Sequence, residues 1–268
     1  MLVIQITKIN YFIQGTLVSF IAYISWFLFS FSHLNWLLTI LIIAISGILI
    51  NTLSYLLIFK RFYEQKSSFS LMFLVSLSLV VILENLIQII FGANVKVLNL
   101  NFLQHSLDFL GAIVNMSQIC VIAASILACT FSFWVIYKTN IGKIWQALNQ
   151  NRKLFQSLGY NLNFNSILVF MFSGVLAALA GICLSLERSL TPQIGTNLFL
   201  TAFVAASLAN YELKWFWLAC ALIAIMKTVF VWFLPSGWSD GLVFGLLGVW
   251  LVGRHSSNLF SKLNLIFS

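Results

Sequence analysis

The chain is short of charge. Of its 268 residues, 14 are Lys or Arg and 6 are Asp or Glu, together 7%. A soluble domain carries roughly 25% and needs them to cover its surface. Prolines number only 2, so long stretches run without a helix breaker. The 4 cysteines, Cys120, Cys129, Cys183 and Cys220, fall inside apolar runs with neither a disulfide framework nor metal-ligand spacing, and are expected to be buried free thiols. The 3 histidines, His33, His105 and His255, are scattered over different loops. Without a His pair, a carboxylate cluster or a Ser-His arrangement at a span end, a membrane-embedded enzyme has nothing to work with. No G-x-x-x-x-G-K-[ST] loop is present either, so the chain itself holds no phosphate cradle for ATP hydrolysis.

What the chain has in abundance is apolar surface: 61% hydrophobic residues and a mean hydropathy of +1.02. Apolar runs of about 20 residues, the length of a helix through hydrocarbon, recur throughout. Lipid offers the backbone no hydrogen bonds, so such runs must be α-helical; the short alternating strands of a β-barrel are absent. The expected fold is an all-α, polytopic transmembrane bundle in a single domain, 1–268. Its eight expected spans are Tyr11–Ser32, Leu34–Phe59, Phe69–Phe91, Phe109–Tyr137, Asn165–Leu186, Gln193–Tyr211, Lys214–Leu234 and Ser239–Gly253. The sixth is short enough to be re-entrant. The first is too long for a signal-peptide core and lacks a nearby cleavage site, so it reads as a retained span.

The formal charge of +8 would suit a nucleic-acid binder, but the bases are spread thinly at span ends. Lys8, Lys60, Arg61, Lys66, Lys138, Lys143, Arg152, Lys153, Lys214, Arg254 and Lys262 all fall on one side of an eight-span topology. Lys96 and Arg188 fall on the other, Arg188 next to Glu187. By the positive-inside rule both termini and the basic loops are expected in the cytoplasm.

Some polar groups interrupt the apolar runs. Glu84 and Lys227 each precede the end of an outward-running span by seven residues, about 10 Å, and could pair. Such a pair either fixes the fold or contacts a zwitterionic solute; cost on breaking favours the structural reading. Asn51, Asn115 and Gln118 are candidates for hydrogen bonds between helices, and Asn85 is a further polar candidate within the membrane. The small residues Gly174, Ala177, Ala178 and Gly181, in pairs four apart, predict close helix packing.

The connection 138–164 reads KTNIGKIWQALNQNRKLFQSLGYNLNF. Apolar Ile144, Leu148, Phe155 and Leu158 recur at helical spacing between Lys143, Gln146, Gln150, Arg152 and Lys153. This predicts one or two short amphipathic helices at the cytoplasmic surface, ended by Gly159. They either rest on headgroups or dock a cytoplasmic partner.

The same segment resembles, without gaps over about twenty residues, the cytoplasmic loop of branched-chain amino-acid ABC importer permeases, G-R-x-x-R-A-x-x-E-N-P-x-x-A-x-x-x-G-I-N. Gly142, Lys143, Ala147, Asn151, Gly159 and Asn161 stand at corresponding places; Arg152 replaces the proline and Phe155 the alanine. The resemblance extends from Phe59 to about Gly253. It takes in Glu84-Asn85 at the family's Gln-Asn pair, Phe170–Gly181 at its next span, Pro192 and Gly195, then Ala202–Ala206 at its AFVAA run, and Trp238–Phe244 at the start of its last span. The family's Gly-Gly-x-Gly turn is Ser207-Leu208-Ala209-Asn210 here, and the N-terminal part is shorter than the family's.

The resemblance implies a permease subunit of an ABC importer in a bacterial inner membrane. The solute would be a branched-chain amino acid or a similar small molecule. The partners would be a second permease, identical or different, cytoplasmic ATPases that use the ATP, and an external solute-binding protein. The chain would bind no cofactor, metal or nucleic acid, and Gly142–Asn161 would couple it to the ATPase. The alternative is a stand-alone secondary transporter using Glu84 for proton coupling, which would have no need of a docking helix.

Overall fold

The computed structural model describes residues 3, 11–31, 35–65, 68–98, 106–109, 112–187, 189–210, 212–233, 241, 245 and 248. In chain order its main elements are α1 (Ile13–Phe31), α2 (Trp36–Ser54, continued by a π-helical turn and the short helix Lys60–Glu64), α3 (Phe69–Phe91), β1 (Ser106–Phe109), β2 (Ala112–Asn115), α4 (Met116–Lys138), α5 (Asn140–Gln150), α6 (Arg152–Ser157), α7 (Leu162–Glu187), α8 (Ile194–Leu208) and α9 (Leu213–Phe233). The chain forms two compact units, Leu2–Asn197 and Leu198–Ser268, the latter grouped with Met1.

Among the described residues, five helical stretches are long and apolar enough to cross a bilayer: Ile13–Phe31, Trp36–Phe62, Ser70–Phe91, Met116–Lys138 and Leu162–Glu187. They coincide with the first five expected spans, and the chain is a multi-pass membrane protein. Outward-facing Leu37 and Ile89, each 83% exposed, need a non-aqueous surround. α8 has 15 residues, about 22 Å against a hydrocarbon core of roughly 30 Å. The eighth expected span lies outside the described residues except for Gly241, Gly245 and Gly248, as do Lys8, His33, Lys66, His105, Arg188, Arg254, His255 and Lys262.

The fourth span begins later than expected. Phe109 and residues 112–115, apolar enough to extend the helix on paper, instead lie in two antiparallel strands that pair Ser106 with Asn115 and Phe109 with Ala112. The helix starts only at Met116, where Gln118 Oε1 accepts from Asn115 N (3.3 Å). Asn115 and Gln118 thus serve this helix start and are not the mid-span bonds expected between helices. Asn85 Nδ2 likewise donates within its own helix, to Val81 O at 2.7 Å.

Within the first unit, ordered contacts give relative directions. α1 runs parallel to α3: the Phe12 ring lies 5.3 Å from Phe73, Ile13 N donates to Ser76 Oγ (3.3 Å), and the Tyr23 ring lies 5.2 Å from Phe91. It is parallel to α7 as well, with Tyr11 against Phe170 and Ile21 against Gly181. α2 is antiparallel, meeting α7 at Gly47–Gly174 and again at Tyr55–Phe170. This is the alternation that successive spans require.

The small residues of α7 explain the closeness. Gly174, Ala177, Ala178 and Gly181 are buried. A Cβ at Gly174 would lie 2.7 Å from Gly47 O, and one at Gly181 would lie 3.0 Å from Ala22 N, so α7 touches two neighbours almost backbone to backbone.

Nearer the other end, α2 widens into a π-helical turn, Tyr55–Phe59, where Lys60 N–H reaches back to Tyr55 O. Aromatic rings pack beside it: Tyr55 stacks on Phe170 (4.5 Å), and Tyr11 meets Phe59 and Phe170 edge-on at 5.0 and 5.1 Å. The Tyr11 hydroxyl bonds to Ser54 Oγ and donates to Asn51 Oδ1 (3.4 Å), so Asn51 does serve a contact between chain segments.

A clasp closes the opposite end of this unit. Lys96 and Leu190 exchange backbone bonds (3.1 and 2.7 Å), Tyr23 Oη donates to Leu190 O (3.2 Å), and Trp26 Nε1 to Val97 O (3.2 Å). The Lys96 ammonium lies 5.2 Å from the centre of the Trp26 ring.

In the second unit, Val204, Ala205 and Ile223 are buried together, flanked by Leu208, Phe216 and Cys220. The turn after α8 carries Asn210 at φ +53°. Asparagine tolerates that left-handed conformation better than most residues, so it serves where a glycine turn was expected from the resemblance. The four cysteines are free but only half-buried, more accessible than the sequence suggested.

Candidate functional site

The connection between α4 and α7 is a folded surface element. Thr139 opens α5, its Oγ1 accepting from Gly142 N (3.1 Å). Asn151 separates α5 from α6: its N–H ends α5 on Ala147 O (3.2 Å), and its Oδ1 accepts from Leu154 N (3.1 Å). Gly159 leaves α6 at φ +84°, donating to Gln156 O (3.0 Å). Asn161 Oδ1 then accepts from Asn163 N and Phe164 N (3.0 and 3.3 Å), starting α7. Each of these bonds gives an otherwise unpaired helix-end group a partner.

These corners are the positions that carry the family resemblance. Gly142 is fixed by space: a Cβ there would lie 2.3 Å from both Val135 O and Ile136 O. Gly159 is fixed by conformation, since a Cβ would meet nothing within 4 Å. Arg152, at the family's proline position, is the first residue of α6. A proline suits that place because the first helical N–H has no partner within the helix.

The apolar stripe divides in two. Leu148 and Phe155, expected to dock a partner, are 1% and 3% exposed and belong to this chain's own core. Ile144 is half-buried against the same cluster, and Phe155 stacks on Tyr160 at 5.0 Å. Leu158, with Leu154, faces outward, at 65% and 57% exposure. Ile141 and Tyr160 are exposed too, Ala147 and Lys143 beside them. The outward surface of the loop is therefore Ile141, Leu154, Leu158 and Tyr160, three of which the spacing argument missed. Trp145, also missed, is buried and packs on Phe172 at 5.6 Å; its three-residue spacing from Leu148 was the available signal.

The intramembrane charges have hydroxyl partners. Glu84 accepts a short hydrogen bond from Thr196 Oγ1 in the first turn of α8, where the helix dipole favours a carboxylate. Gly195 N, one residue earlier, donates to buried Ser19 Oγ (2.8 Å). Lys227 Nζ donates to Thr201 Oγ1 (3.1 Å). Glu84 and Lys227, expected to pair, belong to different units, and each has a hydroxyl partner within its own.

A transport permease is the class of protein that this span pattern and folded loop fit, and comparison with known proteins gives the family. The chain belongs to the branched-chain amino acid transport system permease component family, whose model matches residues 1–251. It is similar to the probable branched-chain amino acid transport permease protein LivH of Methanocaldococcus jannaschii, 23% identical over 89% of this chain and 77% of that protein. It is 32% identical to the autoinducer 2 import system permease protein LsrC of Klebsiella pneumoniae, over 43% of this chain and 37% of the relative. The LsrC of an Enterobacter species matches to the same extent. The chain thus spans under two-fifths of those autoinducer permeases in alignment. No solved structure matches.

Proposed function

We propose that the chain is the permease subunit of an ABC importer, one half of a translocation pathway for a branched-chain amino acid or a similarly small solute. Segment 138–164 then faces the cytoplasm and docks a separate ATPase, and an external binding protein delivers the solute. A bacterial inner membrane is the natural setting for such an assembly.

One observation carries this reading. The longest basic connection is a folded pair of helices tied into the bundle on one side, with apolar Ile141, Leu154, Leu158 and Tyr160 turned outward on the other. A secondary transporter working alone has no use for that surface. The experiment is co-purification in mild detergent: an ATPase of the binding-cassette class should accompany the chain and be lost on Leu158→Asp, which would bury an unpaired charge at the contact. A chain that transports solute with no ATPase bound would overturn the reading.

A further inference from the structure

The corner between α4 and α5 is more tightly built than a surface helix requires. Gly142 presses on the carbonyls of Val135 and Ile136, as its missing Cβ shows. Gln146, one turn further along α5, folds back so that Nε2 donates to Ile136 O at 2.7 Å. Thr139 Oγ1 takes the Gly142 N–H and itself donates to Val135 O. The Val135 and Ile136 carbonyls at the end of α4, among those a helix end leaves without intrahelical partners, are thus bound by side chains from the segment that follows. On its inner side Trp145 is wedged against Phe172 of α7. An amphipathic helix merely resting on headgroups needs one apolar face and no such ties to the span before it.

We propose that Gln146 is a positioning residue for energy coupling: its bond to Ile136 O, over the Gly142 contact, makes α5 and the end of α4 one rigid body. A displacement imposed on the surface helices then moves α4 instead of bending the joint. This rests on the docking role of segment 138–164, and it assigns to Gln146 transmission and not adhesion, since its amide points into the chain and away from the outward surface.

The test uses the full transporter reconstituted in lipid vesicles with its ATPase and binding protein, reading solute moved per ATP hydrolysed beside ATPase retention. Gln146→Met keeps the bulk and removes the donor. The expected result is ATPase bound as in wild type, ATP still hydrolysed, and solute per ATP down about fivefold, the order one hydrogen bond is worth. Gln146→Lys should restore coupling, because an ammonium can donate to the same carbonyl and is favoured at a helix C-terminus. An unchanged ratio in Gln146→Met overturns the proposal, as does loss of the ATPase from that variant, which would make Gln146 a docking residue. Should Gln146→Met fail to accumulate, Gln146→Ser, which leaves the gap open to water, carries the same expectations. A wild-type chain that retains no ATPase overturns both this inference and the docking reading beneath it, whereas an intact complex with an indifferent Gln146 overturns only the inference.

Discussion

Gly47 and Gly174 meet backbone to backbone: a Cβ built on either would stand 2.7 Å from the carbonyl oxygen of the other. No side chain at the far end of a flexible stem can yield here, so the helices themselves must separate. Gly174→Ala should lower stability by about 1–3 kcal/mol, the usual cost of overpacking a tight contact. Thermal unfolding in detergent checks it. Gly241→Ala supplies the comparison, since its Cβ would meet nothing within 4 Å.

Gly159 and Gly142 should fail in different ways. At Gly159 the strain is in the backbone, at φ +84°, with open space around it. Gly159→Val should leave the protein in the membrane and uncouple transport from ATP, while Gly159→Asn, which tolerates positive φ, retains most activity. At Gly142 space is the limit, so even Gly142→Ala should distort the α4–α5 corner and lower yield. Membrane yield and ATP-driven uptake, measured together, separate the two.

Arg152 should accept proline. It is the first residue of α6, where the preceding Asn151 already caps the helix. Arg152→Pro is expected to be neutral or stabilising by about 0.4–1 kcal/mol, through a less flexible unfolded chain. A marked loss of thermal stability would show that the Arg152 N–H or side chain is needed.

Glu84 can be divided into its charge and its acceptor. Glu84→Gln still offers an oxygen to Thr196 Oγ1, whereas Glu84→Leu leaves that hydroxyl without its partner, at a cost of about 1–3 kcal/mol. Unfolding midpoints should therefore fall more for Glu84→Leu than for Glu84→Gln. Equal losses would mean that the negative charge, and not the hydrogen bond, is what the fold needs.

Much of this was legible in the residues, for identifiable reasons. The first five spans are long apolar runs, and a run of about 20 such residues in lipid has few options. The end of the surface helices at Gly159 was legible because a left-handed terminator leaves a glycine in the sequence. The strand pair β1 and β2 was not, because Ala112, Ile113 and Val114 suit a strand as well as a helix, and periodicity cannot separate the two in so short a run. Nor was the π turn at Tyr55–Phe59, whose residues are those of any apolar helix. The destination of the loop's apolar stripe was misread for a related reason. Spacing reveals that Leu148 and Phe155 must be buried, yet only the folded chain shows that its own core buries them.

On the function proposed above, a cytoplasmic ATPase is held by the outward surface of segment 138–164. The most direct measurement is quantitative co-purification of the full chain from its membrane, comparing wild type with Leu158→Asp and with Phe155→Asp. Wild type should bring down a stoichiometric ATPase, and a Leu158→Asp chain that folds and melts normally should lose it. Phe155→Asp, altering a core position, should instead lower stability and yield. An ATPase retained undiminished by Leu158→Asp, or none with wild type, would contradict that function.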